Sequence, residues 1–86
     1  MRKMPPDATD VQVVDDETLL VTFEGGERRL FDLKPLLSRK CYADLNDIAF
    51  RHMVSVQNGC VVWPNDIDID PEWLYKGSIV FQPTAS

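Results

Sequence analysis

Three aspartates at alternate positions, Asp66, Asp68 and Asp70, are the residues of this chain whose type and spacing best suit metal chemistry. Hard cations such as Ca²⁺ are bound by several carboxylate and carbonyl oxygens. The run fails the EF-hand pattern, because Pro71 stands where that loop needs glycine and Gly77 stands where it needs its last glutamate. The spacing is better explained if the aspartates face water and the isoleucines between them face the core. A cation-dependent site for ligand binding or catalysis is the alternative.

Other residue types that do chemistry are sparse. His52 is the single histidine, and it lies between Arg51 and Met53 at the predicted end of a helical turn. Neither Cys41 nor Cys60 has a histidine in an evident pairing, so neither is predicted to be a nucleophile. We therefore expect a protein that is not an enzyme and that uses no metal and no cofactor.

Aromatic residues in the last quarter of the chain have two possible roles. They can fill the core of a small domain, or they can anchor a partner protein, since Trp and Tyr are enriched at interfaces. The residues that we expect to bind a partner are Trp63, Asp66, Asp68, Glu72, Trp73 and Tyr75. A following apolar segment, which contains Ile79, Val80 and Phe81, is predicted to pair with a sheet edge, within the chain or across a dimer.

Length and composition exclude several classes of protein. The 86 residues include 14 acidic and 9 basic side chains, and 44% are hydrophobic, which argues against a multidomain enzyme and a disordered chain. The net charge of -5 argues against direct nucleic-acid binding. The doublets Arg28-Arg29 and Arg39-Lys40 are therefore interpreted as solvated surface. No apolar run approaches the ~20 residues of a membrane helix, and no secretory signal is recognised. We expect a cytoplasmic protein with reduced cysteines and no membrane partner.

Two hairpins organise the predicted elements. A loose lead-in is predicted over residues 1–10. Two-residue hairpin turns are predicted at Gly25-Gly26 and at Asn58-Gly59, and the second is the stronger hairpin signal. The predicted strands, in chain order, are 11–14, 19–23, 28–33, 54–57 and 60–63. These features predict one α+β domain over residues 1–86, with a small antiparallel sheet of two hairpins and short helices.

Helices are predicted where capping residues and prolines interrupt the strand pattern. Asp32 is a candidate cap for the first of one or two short helices between residues 34 and 52. Asp70 is predicted to cap a later helix that has Pro71 in its first position and Gly77 just past its end.

The stretch VWPNDIDIDPEWLY, from Val62 to Tyr75, is the most specific pattern in the sequence. Together with the Gly25-Gly26 turn and the triplet Phe31-Asp32-Leu33, it resembles the bacterial domain of unknown function family 2442 over residues 9–76. Asp66 stands where that family usually has glycine, and the apolar segment 78–82 lies beyond the family's usual end.

The resemblance implies a compact α+β fold and no known catalytic residues. It also implies an antitoxin or adaptor role, because some members are encoded beside a toxin-like family. We therefore expect a non-catalytic interaction module that binds the product of a neighbouring gene. A structural homodimer is a further alternative.

Overall fold

The computed structural model describes residues 5–81 and shows two small antiparallel sheets with short helices. The predicted α+β class is confirmed. The first part of the predicted lead-in, residues 1–4, and the tail from Gln82 to Ser86 lie outside the described residues.

The first sheet is built from a three-strand meander and one strand from the end of the chain. Its strands are β1 (Ala8–Asp15), β2 (Thr18–Phe23), β3 (Arg28–Asp32) and, later in the sequence, β7 (Ile79–Val80). They lie in the order β1-β2-β3-β7, and all neighbours are antiparallel. The lead-in was predicted too long. Ala8 pairs with Phe23 and is buried in the core, so β1 begins within it.

The Gly25-Gly26 turn is longer than a two-residue hairpin. Glu24–Gly26 form a short 3-10 turn, and the Phe23 amide donates to the Glu27 carbonyl at 2.7 Å to close it. Both glycines have positive φ, 88° and 91°, which is the conformational freedom that glycine supplies.

The second sheet contains β4 (Ser55–Gln57), β5 (Cys60–Trp63) and β6 (Ile67–Asp68), in the order β4-β5-β6. Asn58-Gly59 joins the first two strands, and Gln57 pairs directly with Cys60. Both turn residues have positive φ, 54° and 79°, as a type I′ turn requires. This hairpin is confirmed as the sequence predicted it.

The helices are short and are held by local caps. They are α1 (Lys34–Leu37), α2 (Ile48–Arg51) and α3 (Pro71–Lys76), with a 3-10 segment over Lys40–Asn46. The Asp32 carboxylate accepts from the Lys34 amide at 2.9 Å, and the Asp70 carboxylate accepts from the Glu72 amide at 2.9 Å. The predicted cap at Asp70 is confirmed. The prediction for Asp32 was wrong in position, because Leu33 occupies the N-cap of α1 and makes no side-chain hydrogen bond, and Asp32 lies one residue before it. Within residues 5–81 no helix has the length and apolar character needed to cross a bilayer.

Gly77 ends α3, but it does so without the positive φ that usually selects glycine after a helix. Its φ is −83°, so it does not adopt the left-handed conformation common after helices. A Cβ at this position would lie 2.7 Å from the Trp73 carbonyl oxygen. Glycine is therefore required by close packing.

The core lies between the two sheets and the helices. β2 alternates as the period of a strand demands, with Leu19, Val21 and Phe23 buried. The remaining core residues come from all parts of the chain: Ala8, Phe31, Leu33, Leu36, Tyr42, Leu45, Val61, Trp63, Ile69 and Leu74.

Candidate interaction surface

An open groove of about 470 Å³ lies against the second sheet. Ser55, Val62 and Asp68 share its outer face, because Val62 pairs with Ser55 on β4 and with Asp68 on β6. The apolar lining residues are Met53, Val62, Trp63, Pro64 and Ile67. The polar lining residues are Ser55, Gln57, Asn65, Asp66 and Asp68. An apolar surface with polar groups along it is the usual composition of a binding site.

The groove carries negative charge. Asp66 and Asp68 line it and are exposed to solvent, whereas none of the lining residues is basic. Asp44 adds a third carboxylate close by, since the Asn65 side-chain amide donates to its Oδ2 at 3.3 Å. A basic group from another molecule would find no competing cation among the lining residues.

The turn between β5 and β6 positions Asp66. Trp63 pairs with Ile67 across it, and Asn65 and Asp66 have φ values of 69° and 59°. Asn and Asp tolerate the left-handed region better than other non-glycine residues, yet they still lose energy there. A glycine at position 66 would fit this conformation without strain. Asp66 thus gives up local stability and places a carboxylate in the groove.

The remaining acidic residues of this region have structural roles. Asp70 is exposed and caps α3, while Ile69 beside it is fully buried. Glu72 forms an exposed ion pair with Lys76 at 3.3 Å, one helical turn away. Within residues 5–81 no group of three or more His, Cys, Asp or Glu side chains is arranged to hold a metal ion.

Trp63 belongs to the core and forms part of the groove floor. It is 3% exposed, and its indole N–H donates to the Arg51 carbonyl at 3.0 Å. Arg51 is itself buried, and its guanidinium donates to the carbonyls of Leu45 and Asp16. This buried arginine was not found from the sequence. Its only signal there is a charged residue in a predicted helical turn that otherwise carries apolar residues.

Trp73 is half-buried, whereas Glu72, its neighbour on α3, is exposed. Its ring makes edge contacts with Phe31 and Tyr42, with centroids 6.4 and 6.3 Å apart. The Arg39 guanidinium lies 4.9 Å from its ring centroid. A cation already covers this aromatic face, so Trp73 is a less open anchor than the sequence suggested.

Tyr42 connects this aromatic group to the groove strand. Its hydroxyl donates to the Asp68 carbonyl at 3.0 Å. Burial raises the pKa of the Tyr42 phenol above its ordinary value of 10.0. A Cys41 thiolate and the Asp68 carboxylate act in the same direction, whereas the Arg39 charge opposes them.

Tyr75 contacts Arg29 of β3 and Glu27 of the turn that precedes this strand. The Arg29 guanidinium lies 4.0 Å from its ring centroid, and the Tyr75 hydroxyl donates to Glu27 at 2.8 Å. Arg29 also donates to the carbonyls of Tyr75 and Ser78, both at 3.2 Å, and pairs with Glu27 at 3.0 Å. The interpretation of Arg28-Arg29 as solvated surface is therefore wrong for Arg29. It is right for Arg28, which is exposed.

The reactive residue types do not converge. His52 is exposed at the end of α2, Cys41 is exposed, and Cys60 is half-buried in β5. Both cysteines are free. Ile79, Val80 and Phe81 lie at the edge of the first sheet and do not line the groove.

The fold and this surface define a small α+β domain with an anionic groove on its second sheet. Residues 8–80 match the model of a family described as "Protein of unknown function (DUF2442)", and the chain belongs to that family. The matched range includes β7. Comparison with curated proteins and with solved structures gave no significant match.

Proposed function

We propose that this protein is a non-catalytic protein-binding module, and that its anionic groove receives a basic segment of a partner. The partner that we favour is the product of a neighbouring gene, in an antitoxin-like or adaptor role. We place this binding in the cytoplasm, where Cys41 and Cys60 would remain free thiols.

The observation that carries the proposal is the composition of the groove lining. Two exposed carboxylates, Asp66 and Asp68, flank apolar side chains such as Val62 and Ile67, and no lining residue is basic. The stem of a lysine or arginine packs on apolar surface while its charged end pairs with a carboxylate. A basic segment therefore matches both parts of this surface.

The position of Asp66 adds support. Its φ of 59° is a conformation that a glycine would adopt more easily, so local stability alone does not account for the aspartate. A carboxylate that meets a partner's cation at this place would account for it.

The groups that suggested catalysis do not form one constellation. Asp70 caps α3 and does not line the groove. His52 lies exposed at a helix end, and no carboxylate or nucleophile of the described residues is hydrogen-bonded to it. Binding is therefore a better account of the groove than acid–base chemistry.

Co-expression of the full chain with the neighbouring gene product, followed by size exclusion with light scattering, tests the proposal. The double substitution Asp66→Asn and Asp68→Asn removes both groove charges and keeps side-chain shape, and Asn tolerates positive φ at position 66. The matched control is Asp10→Asn with Asp16→Asn, two exposed carboxylates that lie outside the groove and make no side-chain bond to another described residue.

We expect the wild-type chain and the control to form a complex with similar affinity. The groove variant should bind about tenfold to a hundredfold more weakly, since each lost charge pair at an interface costs about 1 kcal/mol or more. Raising the salt concentration should weaken the wild-type complex more than that of the groove variant. The proposal fails if no complex forms, or if the groove variant binds as tightly as the control.

A further inference from the structure

Among residues 5–81, the strand β7 has a neighbouring strand on one side only, β3, and its other backbone edge is open. The Phe81 amide donates to the Arg28 carbonyl at 2.9 Å, and Ile79 pairs in register with Leu30. Successive residues of an antiparallel strand direct their N–H and C=O groups to opposite sides. Val80, between these two residues, therefore directs its N–H and C=O away from β3. This edge can accept one further strand.

Apolar side chains accompany the open edge. Ile79 is 67% exposed and Val80 is 49% exposed, which places them among the few large hydrophobic residues left in solvent. On the outer face of the sheet, Leu20, Leu30 and Ile79 are direct cross-strand neighbours. They form an apolar row that runs to the edge and ends there. Such an edge is a template for pairing with another chain.

The charges on this face are arranged for pairing with a second copy. Arg28 lies at one end of β3 and Asp32 at the other, both exposed on the face that holds Leu30. Asp32 lines a groove of about 520 Å³ together with Asp15, Glu17 and Lys34. Lys34 pairs with Glu17 at 3.6 Å, so Asp15 and Asp32 leave the lining with a net negative charge. A two-fold axis at β7 places the Asp32 end of β3 in each copy on the same side as the Arg28 end of β3 in the other copy. An isologous interface requires this kind of self-complementarity. Because about three strand spacings, ~14 Å, separate the charges, they favour orientation more than affinity.

We propose that two copies of this chain associate through antiparallel pairing of their β7 strands, with each Val80 opposite Val80 of the other copy. The register sets Ile79 opposite Phe81 of the second copy and joins the two four-stranded sheets. The contact is short, so the dimer is weak, with a dissociation constant of about 10 to 1000 μM. It leaves the groove on the second sheet free.

Sedimentation equilibrium of the full chain over about 10 μM to 1 mM brackets this range of affinity. Ile79→Lys places a charge on the edge, and Ile48→Lys is the matched control, since Ile48 is also exposed but lies on α2. Val80→Pro removes only the outward N–H, because proline is tolerated where that group faces away from the sheet. Amide exchange adds a residue-level measurement. The Phe81 amide is bonded to the Arg28 carbonyl, whereas the Val80 amide has no partner among the described residues and gains one in the dimer.

We expect the wild-type chain and Ile48→Lys to approach twice the 9.8 kDa mass of one chain as concentration rises. Ile79→Lys and Val80→Pro should remain monomeric, with the Phe81 amide still protected as evidence that β7 is intact. The Val80 amide of the wild-type chain should gain protection with concentration. A wild-type monomer at 9.8 kDa throughout, or a dimer that survives Ile79→Lys, overturns the proposal. So does occupation of β7 by a different protein while the chain itself stays monomeric. The variant with Asp66→Asn and Asp68→Asn should still dimerise, so this test and that of the groove fail independently.

Discussion

Two adjacent arginines in β3 are expected to differ greatly in their contribution to the stability of the protein. Arg28 and Arg29 are chemically identical in the sequence, yet Arg28 is exposed and Arg29 has a side chain only 16% exposed. Replacing each by methionine removes the guanidinium and keeps an apolar stem of similar length. We expect Arg29→Met to destabilise the protein strongly and Arg28→Met to leave its stability nearly unchanged.

The magnitude follows from the contacts of Arg29. Its Nη1 donates to two carbonyls, those of Tyr75 and Ser78, and a shared charged donor contributes about 1.5–3 kcal/mol. The stacking on Tyr75 adds about 0.5–1 kcal/mol. The ion pair with Glu27 is partly exposed and adds about 0.5 kcal/mol. The loss is about 3 kcal/mol, against less than about 0.5 kcal/mol for an exposed side chain such as Arg28.

Urea unfolding followed by tryptophan fluorescence measures both variants. With a slope near 1 kcal/mol/M for a domain of this size, Arg29→Met should lower the midpoint by about 3 M. Arg29→Lys should fall between the wild type and Arg29→Met, because lysine keeps the charge but lacks the planar fork that reaches two carbonyls and stacks on Tyr75. Equal midpoints for the two methionine variants would refute the assignment of Arg29 as the residue that ties α3 to the first sheet.

Two further predictions concern the groove strand and its neighbour. Asp66→Gly should raise the free energy of unfolding by about 0.5 kcal/mol, because glycine relieves the positive φ, while Asp68→Gly should lower it by about as much. Chemical denaturation of both variants, which carry the same net charge, checks the opposite signs, and equal effects would contradict the prediction. Tyr42→Phe should cost about 1 kcal/mol at neutral pH, where the hydrogen bond to the Asp68 carbonyl is intact. The raised pKa of Tyr42 stabilises the fold below pH 10, and this contribution is lost as the pH rises through the folded value. The stability difference between wild type and Tyr42→Phe should therefore narrow in alkaline solution, and parallel pH profiles would count against the assignment.

Local signals predicted the elements whose causes are local. Asn58-Gly59 forms a type I′ turn because its two residues accept positive φ, and no distant contact is needed to specify it. Asp70 caps α3 through a carboxylate that reaches an amide two residues away. The position of the Gly25-Gly26 turn was predicted correctly, but its length was not. The number of residues in the loop depends on how the residues on either side pair.

Features set by distant contacts were not predicted. The apolar character of Ile79 and Val80 indicated a strand, but not that it pairs with β3 in the same chain. Arg51 was passed over because its acceptors include the Asp16 carbonyl, 35 positions away along the chain. The sequence did not decide whether the aromatic residues near the end belong to the core or anchor a partner. The structure buries Trp63, whereas Trp73 and Tyr75 are half-buried and each contacts an arginine.

By itself the sequence determined the class of fold, the two hairpins, the Asp70 helix cap and the concentration of negative charge near Asp66 and Asp68. Each depends on backbone preferences or on composition, which act over a few residues. Only the tertiary structure decided which arginine of a doublet is buried, which tryptophan is core, and that the two aspartates line one groove with Val62 and Ile67. These outcomes depend on which strands meet and in which register, because a register shift of one residue would exchange the two faces of a sheet.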